Sequence, residues 1–328
     1  MLTCSNYCFK IESDYIYSKL MQRKYKIITA LLVASHLLTF FIYSLKLKET
    51  DKVINPYPYI DISRNYIEQK NFIVNLQPLR EDLYKIYDQY GEDRISLYIE
   101  FLNTGANISY NPDSRYYAAS LIKLPYVVAA VKKIQLGEWT WDTELTMYFE
   151  DINLDYGKLG EQPIGSKFNL KTLIEATLIE SDNTAFKMIS RNMGYEPVND
   201  FLKSTGLNEF FDKNQDITAK EYTRLIRALY TASYLSRENS QKILEIMGKS
   251  KRNYLGQGIP EDIIFSHKFG ENIPRRIFSD SGVIYLEDRA FVVTVLFQAE
   301  ESETQEHIQA FFKDVGATVY NYFSEYNK

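Results

Sequence analysis

The chain has 328 residues, 45% hydrophobic and 25% charged, with a net charge of −5. That balance describes a globular protein, and the lack of a basic excess argues against nucleic acid as a partner. Two cysteines and three widely spaced histidines supply neither a disulfide framework nor a metal-ligand cluster, so no metal or other cofactor is expected.

In chain order, residues 1–26 read as a short cytoplasmic segment. Within it "MQRKYK", directly before an apolar run, resembles a native start, which makes Met21 an alternative beginning and leaves Cys4 and Cys8 upstream of it. From Ile27 to Leu45 no residue is formally charged, and a run of roughly 20 such residues can cross a bilayer. Arg23, Lys24 and Lys26 precede it, which keeps the N-terminus inside, while Lys46 and Lys48 follow. No small-residue cleavage pattern comes after the run, so an uncleaved single-pass anchor is expected, with His36 lodged inside it. The cell membrane then holds a chain whose remainder lies outside the cytoplasm and carries no cysteine. Residues 46–75 are polar, contain Pro56 and Pro58, and read as a stalk; residues 76–328 form one domain.

That domain opens with a helix in "LQPLREDLYKIYDQYG", where Leu79, Leu83 and Ile86 share a face and Gly91 lies past the end. "RISLYIEFLNTGANISYNP" gives two short strands around Asn103, Thr104 and Gly105. Helices follow in "YAASLIKLPYVVAA", in "NLKTLIEATLIES" and in "SDNTAFKMISRNMG", which stops at Gly194. Thr218 and Glu221 form a capping box ahead of "YTRLIRALY". "DIIFSHKFG", "IFSDSGVIYLE" and "RAFVVTVLFQ" read as three strands, and "TQEHIQAFFKDVGATVYNYF" as a closing helix. Sequential strands with short links make an antiparallel sheet, so the class is α/β (α+β): five antiparallel strands with flanking helices, plus an all-α subdomain from the middle of the chain.

Three short motifs stand out. Ser120-Leu121-Ile122-Lys123 is the chain's single S-x-x-K, and residues three apart on a helix share a face, which would put a nucleophile beside its base. Ser181-Asp182-Asn183 stands at a helix boundary, and Lys268-Phe269-Gly270 stands in a strand. Each has an ordinary structural reading: a capping serine with a solvent-seeking lysine, an N-capping cluster, and an edge-strand lysine. Their order and their placement on helix, turn and strand are much harder to reach by accident.

S-x-x-K, S-D-N and K-[ST]-G are the motif set of class A β-lactamases and penicillin-binding proteins. The chain resembles that serine hydrolase superfamily across the outer domain, in "KFNLKTLIEATLIESDNTA" and "SDSGVIYLEDRAFVVTVLF" as well as at the motifs. The resemblance implies a β-lactamase/transpeptidase-like fold and an enzyme acting on amide bonds of β-lactams or cell-wall peptides; a monomer is expected. It implies Ser120 as nucleophile, Lys123 as base and Ser181 as proton relay to the leaving nitrogen. Asn183 would hold Lys123 and the substrate amide, Asp182 would tie the turn, and Lys268 would attract a substrate carboxylate. Gly270 would admit the substrate to the strand edge, and the backbone N–H groups of Ser120 and Glu271 would form the oxyanion hole.

Two departures from the pattern bear on turnover. Phe269 replaces the family's hydroxyl residue, with Arg275 or Arg276 as candidate substitutes. No E-x-x-L-N segment precedes Thr218; Glu196 and Glu209 read as a helix-start charge and a loop charge, so deacylation is expected to be slow. The competing reading is a sensor-type penicillin- or peptidoglycan-binding module that keeps the fold without turnover. A Ser-His-Asp hydrolase using His267 is disfavoured, because no G-x-S-x-G elbow exists and His267 alternates with Lys268 on the strand.

Overall fold

The computed structural model describes residues 4–48, 57–60, 75–207, 215–286 and 289–325. It separates into two units, 1–56 and 57–328. The first is one helix, α1 (Cys4–Lys48), longer at both ends than the apolar run predicted from sequence. Its segment Ser18–Phe41, 24 residues, is long and apolar enough to cross a membrane. Within it His36 Nδ1 meets the carbonyl of Leu32 at 2.8 Å, so one ring nitrogen is satisfied by the helix itself.

The second unit begins with α2 (Gln77–Tyr90), which ends at Gly91, and the hairpin β1 (Ile95–Phe101) and β2 (Asn107–Tyr110). The short β3 (Tyr116–Tyr117) leads through a 3₁₀ turn, Ala119–Ile122, into α3 (Lys123–Gln135). Then come β4 (Glu144–Thr146), β5 (Lys167–Asn169), α4 (Leu170–Ile179), α5 (Asn183–Met193) and α6 (Glu196–Ser204). They are followed by β6 (Asp216–Ile217), α7 (Ala219–Tyr230) and α8 (Arg237–Met247). The chain closes with β7 (Phe265–Asn272), β8 (Ile277–Leu286), β9 (Arg289–Gln298) and α9 (Gln305–Glu325).

Five strands form one antiparallel sheet in the order β2-β1-β9-β8-β7. Both faces are covered, and β9 shows how the sequence achieves it. Val292 and Leu296 face the helical layer, while Val293, Val295 and Phe297 face the opposite core with α2 and α9. Side chains alternate along a strand, so a strand buried on both faces reads as an unbroken apolar run. The polar exception, Thr294, is fully buried and satisfied by Thr223 and Ser281 hydroxyls, each at 2.7 Å. The expected Thr218–Glu221 capping box opens α7. Glu196, read as a helix-start charge, begins α6; the elements not expected from sequence are α8 and the small pairs β3–β6 and β4–β5.

Four residues of the predicted stalk, 57–60, pack on the body. Tyr59 N donates to Gln241 Oε1 at 2.8 Å, Tyr285 Oη donates to Tyr59 O at 3.1 Å, and Ile60 is buried.

The segment between β4 and β5 is anchored by one charge pair. Arg191 on α5 grips Asp151 through Nε at 2.9 Å and Nη2 at 2.8 Å, and the same carboxylate accepts Tyr148 N at 2.9 Å. Asp151 is almost fully buried, so removing its partner strands a charge. Arg191→Leu is expected to lower stability by about 2–4 kcal/mol in urea denaturation. Arg191→Lys should cost less, because it restores the charge without the two-pronged fit.

Candidate active site

Strand β7 is an edge of the sheet, and its alternation sorts the third motif onto two faces. Ser266, Lys268 and Gly270 turn toward the helical layer; Ser266 Oγ donates to Leu244 O at 2.7 Å and Lys268 Nζ reaches Ser181 Oγ at 3.0 Å. Phe265, His267 and Phe269 turn the other way, their rings in sequence against one another. Gly270 meets the 3₁₀ turn closely: a Cβ there would stand 3.1 Å from the backbone nitrogens of Ser120 and Leu121. Glycine is what allows this edge to lie against Ser120.

Ser120 sits in that turn, half-buried, immediately after Ala119, whose φ of +48° is left-handed. A non-glycine residue held there costs of order 1–3 kcal/mol and persists only where surrounding packing fixes it. One turn later Lys123 is 2% exposed. Its Nζ donates to Asn183 Oδ1 at 2.6 Å, to Ser181 O at 2.5 Å and to Ser181 Oγ at 3.1 Å. Burial lowers its pKa to about 7, against the raising influence of Asp182. Lys268 is fully buried; its second acceptor is Phe269 O at 2.9 Å. Burial, and then the charge of Lys123, pull the Lys268 ammonium well below its ordinary value. Ser181 thus places one hydroxyl between two lysines, in a backbone with φ of +56°.

The turn that presents Ser181 is fixed by Asp182. Its carboxylate accepts Ala185 N at 2.8 Å as the cap of α5, and Lys158 N and Leu159 N at 2.8 and 2.9 Å. A Cβ on Gly157 (φ +86°) would fall 2.0 Å from Asp182 Oδ2, so only glycine lets the 153–160 loop close on this carboxylate. The loop in turn supplies Asn153, whose Oδ1 accepts Asn183 Nδ2 at 3.0 Å and so leaves Asn183 Oδ1 aimed at Lys123.

Ser120, Lys123 and Asn183 line a cleft of about 660 Å³ together with Tyr156, Glu271 and Tyr117. Neither Ser181 nor Lys268 is among its lining residues; both are buried, joined to each other through the Ser181 hydroxyl and to the cleft through Lys123. Phe269 is also outside the lining, buried at 6.0 Å from the Tyr254 ring. Of the two candidate arginines, Arg275 stacks its guanidinium 4.3 Å over Tyr117 at the cleft, whereas Arg276 turns away to Glu303 O at 2.5 Å. His267 is fully buried with Nδ1 2.8 Å from Asp280, away from Ser120. Glu196 starts α6 outside the cleft lining, and Glu209 lies outside the described residues. Among the described residues no group of three or more His, Cys, Asp or Glu could hold a metal ion. The sequence reading missed Asn153, Tyr156 and Tyr254, which come from irregular segments without periodicity to mark them.

A model of the β-lactamase enzyme family matches residues 78–323, a span that contains every element from α2 to the body of α9. The chain belongs to this family. Its class A β-lactamase-like fold is shared with solved structures: PBP-A superposes with a TM-score of 0.69 at 22% identity, covering 76% of this chain and 97% of that one. A point mutant of PBP-A in an acyl-enzyme complex with penicillin G gives 0.67 at 22%, again over 76% and 97%. Among sequence relatives, β-lactamase VEB-1 of Pseudomonas aeruginosa is 22% identical over 255 residues, 70% of this chain and 85% of its own. β-Lactamase 1 of Bacillus cereus is 26% identical over 230 residues, 64% and 73%.

The depressed lysine has a consequence for stability. Between about 7 and its ordinary value of 10.5, Lys123 is largely deprotonated in the folded protein and protonated in the unfolded chain. The unfolded state then binds more protons, so stability rises with pH across that window and is lost as pH falls toward 7. Denaturation midpoints taken from pH 7 to 9 should increase, and Lys123→Met should reduce the slope. Lys268, shifted in the same direction, keeps the slope from vanishing.

Proposed function

We propose that the protein is a membrane-anchored, extracytoplasmic serine hydrolase that forms an acyl-enzyme with β-lactams or related cell-wall peptides and releases it slowly. The observation that carries this reading is the Ser181 hydroxyl held between two buried lysines, one of which, Lys123, lines the same cleft as Ser120. A lysine with a pKa near 7 has an unprotonated fraction at neutral pH, which a base requires.

In the proposed sequence Lys123 takes the proton of Ser120 Oγ as that oxygen attacks the substrate carbonyl. The oxyanion forms against the backbone N–H groups of Ser120 and Glu271, the strand approach at Gly270 being what brings the two together. Ser181 then gives its proton to the leaving nitrogen and is reprotonated from the lysines that contact it. Asn183 keeps Lys123 in register, Asp182 keeps the turn, and Lys268 contributes positive potential from behind. Hydrolysis of the ester needs a base on water. Of the carboxylates that line the cleft, Glu271 already accepts from Tyr254, and Asp155 stands exposed on the 153–160 loop. Neither is buried beside Ser120 as an activated base would be, which supports slow release.

Intact-protein mass after mixing with a β-lactam tests the acylation. A long-lived adduct is expected, absent in Ser120→Ala and formed about 10²–10⁴-fold more slowly in Lys123→Ala. Rapid hydrolysis with no adduct would refute slow release, and an unlabelled protein that still binds the ligand would favour the sensor-type module. For the anchor, protease added to intact cells should digest the outer domain and leave a stub containing Ser18–Phe41. Protection until the cells are lysed would rule that topology out.

A further inference from the structure

The cleft edge where the resemblance places a substrate carboxylate is occupied by an acid of the protein itself. Glu271 follows Gly270 on the open edge of β7, and its side chain lines the cleft. It is not a freely swinging surface group. Tyr254, 3% exposed and itself in a left-handed backbone (φ +49°), donates its hydroxyl to Glu271 Oε2. Tyr156, from the 153–160 loop, lines the same cleft close enough for the Glu271 charge to raise its phenol's pKa. Burial and the Glu271 charge push both phenols up, so they remain donors at any ordinary pH.

Lys268 lies within the field of this acid, but neither buried lysine pairs with it directly. Lys268 hydrogen-bonds to Ser181 and Phe269 O, and Lys123 to Ser181 and Asn183. Phe269, on the same strand face as Glu271, is buried against Tyr254 and brings no donor to the cleft. Asp155 adds a second acid to the lining, and Arg275 sits at the rim over Tyr117.

We propose that Glu271 determines specificity: its clamped carboxylate rejects substrates that carry a carboxylate beside the scissile amide and favours uncharged or amine-bearing ones. The inference rests on acylation at Ser120, and it deepens that reading by naming the charge class of the substrate. A carboxylate brought to this edge meets a like charge that the Tyr254 phenol holds in place, and such a contact is a standard means of excluding a wrong partner.

Benzylpenicillin and its methyl ester form a matched pair that differs in that one charge. Second-order acylation constants, read by intact mass, should show the acid-to-ester ratio rising about tenfold in Glu271→Gln, which keeps an acceptor for Tyr254 while removing the charge. Tyr156→Phe removes a neighbouring hydroxyl and keeps the charge, so its ratio should stay within about threefold of the wild type. Added salt should speed the acid relative to the ester on the wild-type protein, by screening the repulsion. This last arm decides the matter even if the glutamine variant fails to fold: a relative slowing of the acid, as an attracting cationic edge would give, overturns the proposal. So does an unchanged ratio in Glu271→Gln, or an equal shift in Tyr156→Phe. Failure of both compounds to label Ser120 would instead bring down the acyl-enzyme reading, and this inference with it.

Discussion

Two ammonium groups sharing one serine hydroxyl inside a protein is a costly arrangement, and much of the local structure exists to make it tolerable. Neither Lys123 nor Lys268 has a carboxylate within hydrogen-bond reach; their partners are carbonyl, amide and hydroxyl oxygens. Burying an unpaired charge is unfavourable enough that a group sheds its proton instead. Three acceptors must therefore converge on Lys123, and each arrives by a separate device. Ser181 O is turned inward by a left-handed residue, Asn183 Oδ1 by its bond to Asn153, and Ser181 Oγ by the cap that Asp182 provides. Loss of any one device would leave the lysine with fewer acceptors and would change its pKa.

The cluster also spans the two layers of the domain. Ser120 and Lys123 come from the start of α3, Ser181 and Asn183 from the start of α5, and Lys268 and Gly270 from the edge of the sheet. Its geometry therefore depends on how the helical layer seats against β7. The buried contacts that set this seating include Tyr222 Oη on Leu121 O at 3.1 Å and Ser266 Oγ on Leu244 O at 2.7 Å. A change in layer packing far from the cleft would be felt first as a change in lysine solvation.

How much of this was legible in the sequence follows the distinction between periodic and irregular backbone. The five strands and the helices α2, α4, α5, α7 and α9 carry apolar spacing that only one kind of element can bury, and they lie where that spacing puts them. The two-strand pairs β3–β6 and β4–β5 are two or three residues per strand, too short for any period to register. Helix α8 begins at a good cap, Ser236, but its first turns are polar and give no apolar stripe. In the site, the three motifs gave Ser120, Lys123, Ser181, Asn183, Lys268 and Gly270, because each sits at a helix start or in a strand. Asn153, Tyr156 and Tyr254 come from turns whose position depends on tertiary contacts such as the Asp182 and Arg191–Asp151 bonds, and no local pattern encodes those.

Phe269 shows why a motif position and a side-chain position must be argued separately. In the sequence it stands between Lys268 and Gly270, and its lost hydroxyl reads as a defect at the ligand. In the fold its side chain points into the core shared with Tyr254 and Phe278, where an aromatic ring fills space that a small hydroxyl residue would leave empty. The ring supports Tyr254, and Tyr254 in turn holds Glu271. The replacement therefore acts at the cleft edge through its packing: the ring buttresses the tyrosine that holds Glu271. The departure from the family pattern is better understood as part of a changed charge preference than as the isolated loss of a contact.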